Sequence, residues 1–331
     1  MKNLWRRLKP KYIHPKEYTE LRSIYKYYID TYNVLYQLKT ENEEELNSIY
    51  KIIKTELIDS RVCSPTSIVK DIFRIITFNN RFTNSYLTLA KFITDDYHLT
   101  QIDGNGFLPD FLFYKKYRIK LNNHIDYKND LTNIDIHTEN TIYNAIMYND
   151  LERFIFFTER EGFDKDQKIL NSLYPYNCEY SLLELCCYHG AVDCFKLLRT
   201  KFKSEITQKC LEFSFLGGNA EIMSECLKYQ TPNGTCMMFA IISHNIDFVT
   251  FLMNEYNIEI DLFNCEIYKN LEAFLVYLDQ TKDAKNAYFT PRYLIFNPFA
   301  NTSFLLVQIS MKNMILEEQL FIKQQKIIVK K

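Results

Sequence analysis

The second half of the chain repeats one short pattern five times, and this repeat constrains the fold more than any other feature of the sequence. The units are IYNAIMYNDLERFIFF (142–157), LELCCYHGAVDCFKLL (183–198), LEFSFLGGNAEIMSEC (211–226), MMFAIISHNIDFVTFL (237–252) and LFNCEIYKNLEAFLVY (262–277). Each unit has a small residue, a turn-forming residue four positions later and an acidic residue three positions after that. The small residues are Ala145, Cys186, Ser214, Ala240 and Cys265; the turn residues are Asn149, Gly190, Gly218, His244 and Lys269; the acidic residues are Glu152, Asp193, Glu221, Asp247 and Glu272.

This order of residue types predicts a pair of helices in every unit. A small side chain allows a neighbouring helix to approach closely, and Gly or Asn ends a helix readily because the left-handed backbone conformation costs such residues little. An acidic residue is favoured in the first turn of the next helix by the helix dipole. One hairpin cannot bury its own apolar face, so we expect the hairpins to stack in a row.

The best unit, SLLELCCYHGAVDCFKLL, follows the ankyrin pattern T-P-L-H-x-A-x-x-x-G-h-x-E-h-h-x-x-L-L with few mismatches, and the repeats resemble degenerate ankyrin repeats. The T-P-L-H start is replaced by Ser181–Glu184. Successive small residues are 41, 28, 26 and 25 positions apart, against the ankyrin period of about 33. The longest step contains the insertion GFDKDQKILNSLYPYNCEY. Together with a Tyr-rich N-terminal region, residues 14–285 resemble the large uncharacterised ankyrin-protein family of trichomonad protists, and this resemblance implies protein binding and no chemistry.

The first part of the chain predicts helical hairpins of a different kind. Apolar residues recur at helical spacing over 25–36, 46–57 and 68–76, and Ser64 before Pro65 predicts the start of the third of these helices. Thr83 is expected to cap a fourth helix. Because the periodicity fades after Tyr97, the sequence predicts an all-α fold with a Tyr-rich helical domain at 1–135, five ankyrin-like repeats at 136–285 and a non-repeat tail at 286–331.

The tail suggests a reading-frame change. Synonymous codons for VQISMKNMILEEQLFIKQQ, read two nucleotides later, can encode ANINEKYDFGGTALHKAA, which is a better ankyrin unit than any in the chain. We therefore expect residues from about 286 onward to be translated out of frame and poorly ordered. The gene's nucleotide sequence at this point tests the hypothesis and distinguishes gene decay from a sequencing error.

Composition and motifs argue against several functional classes. The net charge is −1, so no overall field favours nucleic acid or a membrane surface, and no apolar run is long enough to span a bilayer. Phosphate-binding glycine loops, the zinc-protease motif and the nucleophile-elbow motif are missing from the sequence. DGNG at 103–106 is interpreted as a plain turn rather than a calcium loop. Without a secretory signal core, the nine cysteines indicate free thiols and an intracellular, cytoplasmic protein, with the nucleus left open.

The cluster Cys186, Cys187, His189 and Cys194 raises the question of a metal or thiol site. Cys186 lies at the small-residue position and Cys194 at an apolar position, so we interpret both as packing residues. A pairing of Cys187 with His189, or of Cys210 with a distant histidine, would be the basis of a thiol enzyme, but nothing in the sequence orients such a pair. We expect no enzyme activity, no cofactor and no bound metal.

The sequence therefore favours a monomeric protein–protein interaction scaffold with an unknown protein partner. The predicted partner surface comprises the residues two and three positions after each small residue, namely Met147, Tyr148, Tyr188, His189, Leu216, Ile242, Ser243, Ile267 and Tyr268. Burial of these residues against the neighbouring unit is the competing interpretation. The alternative function is a truncated remnant of a longer ankyrin protein, and a thiol enzyme or metal protein is favoured least.

Overall fold

The computed structural model describes residues 21–102, 107–123 and 138–281, and most of these residues are helical. The N-terminal helices are α1 (Lys26–Tyr36), α2 (Glu43–Ile53), α3 (Pro65–Ile76), α4 (Thr83–Asp96) and α5 (Phe107–Tyr117). The later helices are α6 (Ile142–Met147), α7 (Leu151–Thr158), α8 (Leu182–His189), α9 (Val192–Thr200), α10 (Gln208–Gly217), α11 (Ala220–Cys226), α12 (Gly234–Ile242), α13 (Ile246–Tyr256), α14 (Leu262–Ile267) and α15 (Leu271–Thr281). The mostly α-helical class predicted from the sequence is confirmed.

The N-terminal helices begin largely where the sequence predicts. Ser64 accepts a hydrogen bond from the backbone of Ser67, and Pro65 is the first residue of α3. The helix α2 continues without a break into a π-helix at Lys54–Asp59. Thr83 does not cap α4: a short 3₁₀ turn precedes the helix, and the Thr83 hydroxyl donates to the carbonyl of Asn80.

A small antiparallel sheet was not predicted. Its strands β1 (Lys168–Leu170) and β2 (Glu179–Ser181) lie in the insertion of the first repeat, with Ile169 opposite Tyr180. Tyr180 is buried and its ring contacts Phe213 of α10. At the end of β2, Ser181 and Glu184 form a capping box that starts α8, so the strand delivers the chain directly to the next hairpin.

All five repeat units are helical hairpins. The small residue of every unit is buried in its first helix, and the acidic residue lies in the first turn of its second helix. The turn residue of every unit has a left-handed backbone, with φ between 51° and 72°. The prediction of where each first helix ends is therefore confirmed, even where His244 and Lys269 occupy a position that favours glycine.

Neighbouring hairpins contact one another in chain order. The first helices α6, α8, α10, α12 and α14 each contact the next one, and several second helices do the same. The side-chain amide of Asn149 binds both the Asp193 carboxylate, at 2.8 Å, and the Asp193 backbone N–H, at 3.0 Å. Asn270 donates to the carbonyl of Ile241 at 2.8 Å. Polar turn residues thus fix the position of one hairpin against the next.

The backbones of the second and third hairpins are in direct contact at Gly190 and Gly217. A Cβ atom on Gly217 would lie 2.1 Å from the carbonyl oxygen of Cys187 and 2.7 Å from the nitrogen of Gly190. A Cβ on Gly190 would lie 2.6 Å from the Gly217 oxygen. The two backbones therefore touch, and this junction has no room for a side chain.

The predicted boundary near residue 135, the DGNG turn and the tail at 286–331 lie outside the described residues. Within the part of the chain that the structure covers, no helix is both long enough and apolar enough to cross a bilayer.

Candidate interaction surface

The N-terminal helices pack against much of the predicted partner surface. The contacts come from the end of α1, the end of α3 and the loops that follow these helices, and they join residues more than one hundred positions apart. Much of the face that the sequence predicts for a partner is therefore in contact with the chain itself.

The second hairpin contacts the segment after α3. The Tyr188 hydroxyl is buried, donates to the carbonyl of Thr77 at 2.8 Å and accepts from the backbone N–H of Asn80 at 3.4 Å. Burial raises the pKa of Tyr188 well above its usual value, so this phenol stays protonated and able to donate. The carbonyl of His189 accepts a hydrogen bond from Arg81 at 2.9 Å, and its ring nitrogen Nε2 lies 2.9 Å from the Tyr174 hydroxyl.

The fourth and fifth hairpins are held in the same manner. The side-chain amide of Gln37 donates to the carbonyls of Ser243, at 3.3 Å, and His244, at 2.9 Å. Arg74 donates to the carbonyl of Ile267 at 3.0 Å. The ring of Tyr268 meets the ring of Phe78 edge-on, with centroids 5.4 Å apart. Backbone carbonyls at the ends of first helices thus receive donors from the N-terminal layer, as such unpaired groups require.

The remaining predicted residues differ in exposure. Met147 and Ile242 are buried, at 0% and 1% exposure, so neither offers an exposed side chain to a partner. Tyr148 is 45% exposed and its hydroxyl lies 3.4 Å from the Glu41 carboxylate, with the Arg81 guanidinium 5.9 Å from its ring centroid. Leu216 is half-buried and borders a cleft.

His244 is the most constrained polar residue of this region. Its ring stacks on Tyr36 at a centroid distance of 4.1 Å, Nε2 lies 2.8 Å from the carbonyl of Tyr268, and Nδ1 lies 2.8 Å from the side-chain amide of Asn33. Burial lowers the pKa of His244 to about 4. The imidazole is therefore neutral at pH 7, and it connects α1 to both the fourth and the fifth hairpin.

A cleft of about 590 Å³ remains open between the two layers. One wall consists of residues 36–39 and residues at the end of α3 and just after it. The other wall consists of the turns that follow α8, α10 and α12. His189, Leu216, Ile242 and Ser243 of the predicted partner surface border this cleft, as does Tyr188.

The cysteine cluster lies in the core of the second hairpin. Cys186, Cys187 and Cys194 are all fully buried, and burial raises the pKa of each thiol. A nucleophilic cysteine requires the thiolate, which burial disfavours here. No group of three or more His, Cys, Asp or Glu side chains that could hold a metal ion occurs among the residues that the structure describes.

Several residues of this region give no signal in the sequence. Asn33, Gln37, Arg74 and Arg81 are single polar residues in apolar-periodic segments, and their partners lie between 108 and 211 positions away. The role of Gly217 cannot be recognised from the sequence, because the neighbouring Gly218 occupies the left-handed turn position and accounts for a glycine there. Only the high tyrosine content of the N-terminal region hints that its helices pack against another layer.

Comparison with known protein families matches one part of the chain. A family model described as a domain of unknown function (DUF3447) matches residues 202–277, which include the third and fourth hairpins and most of the fifth. No curated protein and no solved structure matches the chain. The matched family carries no assigned activity, so the function has to be argued from the geometry.

Proposed function

We propose that this chain is a protein–protein interaction scaffold, built as an ankyrin-like solenoid of five hairpins with a helical layer packed against it. The observation that supports this proposal is the row of equivalent turns. Five hairpins present left-handed turn residues, and their first helices contact one another in chain order. Such a row displays several loop ends along one edge, where a partner can contact them together.

The N-terminal layer restricts where the partner binds. Because α1, α3 and the loops after them pack against the first helices, the partner meets the edge at which this layer and the turns lie side by side. Exposed residues at this edge include Tyr148 and Lys39, and the cleft opens beside them. The scaffold is proposed to act as a monomer in the cytoplasm, with recognition and no chemistry as its task.

In-cell crosslinking tests the proposal. The full chain, tagged and expressed in its source cell, is treated with a lysine-reactive crosslinker and its crosslinked peptides are identified by mass spectrometry. We expect one protein to crosslink reproducibly to Lys39 or to Lys269 at the turn of the fifth hairpin. Lys51 on α2 and Lys168 on β1 are controls, because both are exposed and neither lines the cleft. Crosslinks spread evenly over all four lysines, or no reproducible partner, would contradict the proposal.

A further inference from the structure

The cleft between the two layers extends along the hairpin stack. Its lining includes Gly190 after α8, Gly218 and Asn219 after α10, and Ser243 and Asn245 after α12, so three consecutive hairpins contribute to one wall. Packed helices lie about 8–10 Å apart, so this wall is roughly 20 Å long. An extended chain rises about 3.3 Å per residue, and a segment of about six residues spans such a length. The shape therefore suits an extended peptide better than a compact small molecule.

The charge of the lining is of one sign. Lys39 and Arg81 line the cleft, and no aspartate or glutamate is among its lining residues. Of the acidic residues that follow these three turns, Glu221 and Asp247 are exposed, where water screens their charges, and the half-buried Asp193 accepts a hydrogen bond from Asn149. An anionic ligand in the cleft would therefore meet two cations and no opposing carboxylate.

Several donors of this cleft have no acceptor within the described part of the chain. Lys39 makes no ion pair or hydrogen bond there, and the Nε atom of Arg81 is buried and unpaired. Asn219 and Asn245 cap α11 and α13 through their Oδ1 atoms, which leaves their NH₂ groups without a partner among the described residues. Donors without acceptors favour a ligand that is rich in acceptors, such as a carboxylate-bearing chain.

The helix dipoles do not reverse the preference of the cleft for an anionic ligand. The carboxyl ends of α8, α10 and α12 and the amino ends of α9, α11 and α13 meet at the same three turns, so their opposite dipole charges largely cancel. Arg81 and Gln37 also donate to carbonyls at two of these turns, which reduces the negative potential there. The side-chain cations therefore determine the sign of the potential in the cleft.

We propose that the cleft binds an extended acidic segment of the protein partner, about six residues long, whose carboxylates pair with Lys39 and Arg81. This proposal rests on the proposed scaffold function and specifies the chemistry of its partner. The apolar part of the lining, which includes Leu216 and Phe248, accommodates the side chains between the acidic residues.

Fluorescence anisotropy with the full chain tests this proposal. The probe is a fluorescein-labelled hexapeptide in which glutamate alternates with leucine, and the control peptide has glutamine in place of glutamate. We expect the glutamate peptide to bind at least about tenfold more tightly, since one charge-assisted contact has an effect of this size. Equal affinity for the two peptides, or no binding of either, would overturn the proposal.

Charge reversal at two exposed lysines provides matched variants. Lys39→Glu should weaken binding of the glutamate peptide by about tenfold or more. Lys51→Glu makes the same charge change on an exposed face of α2, and it should alter binding by less than about twofold, because a distant exposed charge is screened. Because Lys39 has no partner in the described chain, its replacement leaves the fold intact. An equal loss in both variants would show non-specific attraction and overturn the proposal.

The two proposals fail in different ways. A partner that crosslinks to Lys39, combined with equal binding of the two hexapeptides, would leave the scaffold function standing and remove the acidic segment. Binding of the glutamate peptide that is lost in Lys39→Glu supports the acidic segment, whereas the absence of any crosslinked partner counts against the scaffold.

Discussion

The close contact between Gly190 and Gly217 predicts that Gly217→Ala destabilises the protein, although alanine usually stabilises a helix more than glycine does. Gly217 is the last residue of α10, where alanine would ordinarily be favoured over glycine by up to about 1 kcal/mol. Here the new Cβ would lie 2.1 Å from the Cys187 oxygen, so the two hairpins would have to separate by about 1 Å to restore a normal contact. Overpacking of this kind costs about 1–3 kcal/mol, so we expect Gly217→Ala to destabilise the protein by about 1–2 kcal/mol in net terms.

Alanine substitutions at two other glycines distinguish this steric clash from effects of the backbone conformation. Gly218 has φ 72° and free space around its Cα, so Gly218→Ala reports only the left-handed strain of about 1–2 kcal/mol. Gly234 begins α12 and also has free space, so Gly234→Ala should be neutral or slightly stabilising. Urea unfolding followed by circular dichroism measures all three variants. If Gly217→Ala is as stable as Gly234→Ala, the two hairpins are not in backbone contact and the stacking described above is wrong.

Three further predictions concern the interface between the layers and the buried thiols. The pKa of His244 is about 6.5 in the unfolded chain and about 4 in the folded protein, so the unfolded state binds more protons between these values. The free energy of unfolding should therefore fall by about 2 kcal/mol from pH 7 to pH 5, and urea titrations should show a smaller fall in His244→Gln. An equal fall in the variant would contradict the lowered pKa of His244. Tyr188→Phe should cost about 1–2 kcal/mol because the partly buried Thr77 carbonyl loses its donor, whereas Tyr229→Phe, at an exposed position, should cost almost nothing in the same assay. An aromatic disulfide reagent should modify the half-buried Cys178 first and Cys63 more slowly, because burial raises the pKa of the Cys63 thiol to about 11. Rapid modification of the seven buried thiols in the folded protein would contradict their burial.

The repeat units could be predicted from the sequence because each of their signals is local. A small residue, a turn residue and an acidic residue within eight positions specify a close approach, a helix end and a helix start. All five turns adopt the left-handed conformation, including the one at Lys269, whose side chain gives no hint of it. The recurrence of the pattern identified this position where the residue type alone could not.

The interface between the layers could not be predicted because its determinants are far apart in the sequence. Asn33 and His244 are 211 positions apart; Asn33 belongs to no motif, and the turn position of His244 in the repeat gives no information about its partner. The apolar character of Ile242 and Tyr188 is consistent both with a partner surface and with burial, and only the packed structure shows the N-terminal helices against them. The strands at 168–170 and 179–181 were missed because three-residue strands are too short to show an alternating pattern.

A hydrogen-bonded ion pair between Arg22 and Asp279, at 2.9 Å, joins the beginning of the described chain to its last helix, 257 positions away. In an open repeat array every contact is local, and the array can unfold one unit at a time. Because this ion pair and the packing of α1 against α15 connect both ends, we expect the stack and the helical layer to unfold as one cooperative unit. During synthesis at about 5–20 residues per second, the N-terminal helices would wait roughly 10–50 s before their last partner leaves the ribosome. Chaperones that shield apolar helices on nascent chains are therefore expected to bind this protein early and release it late.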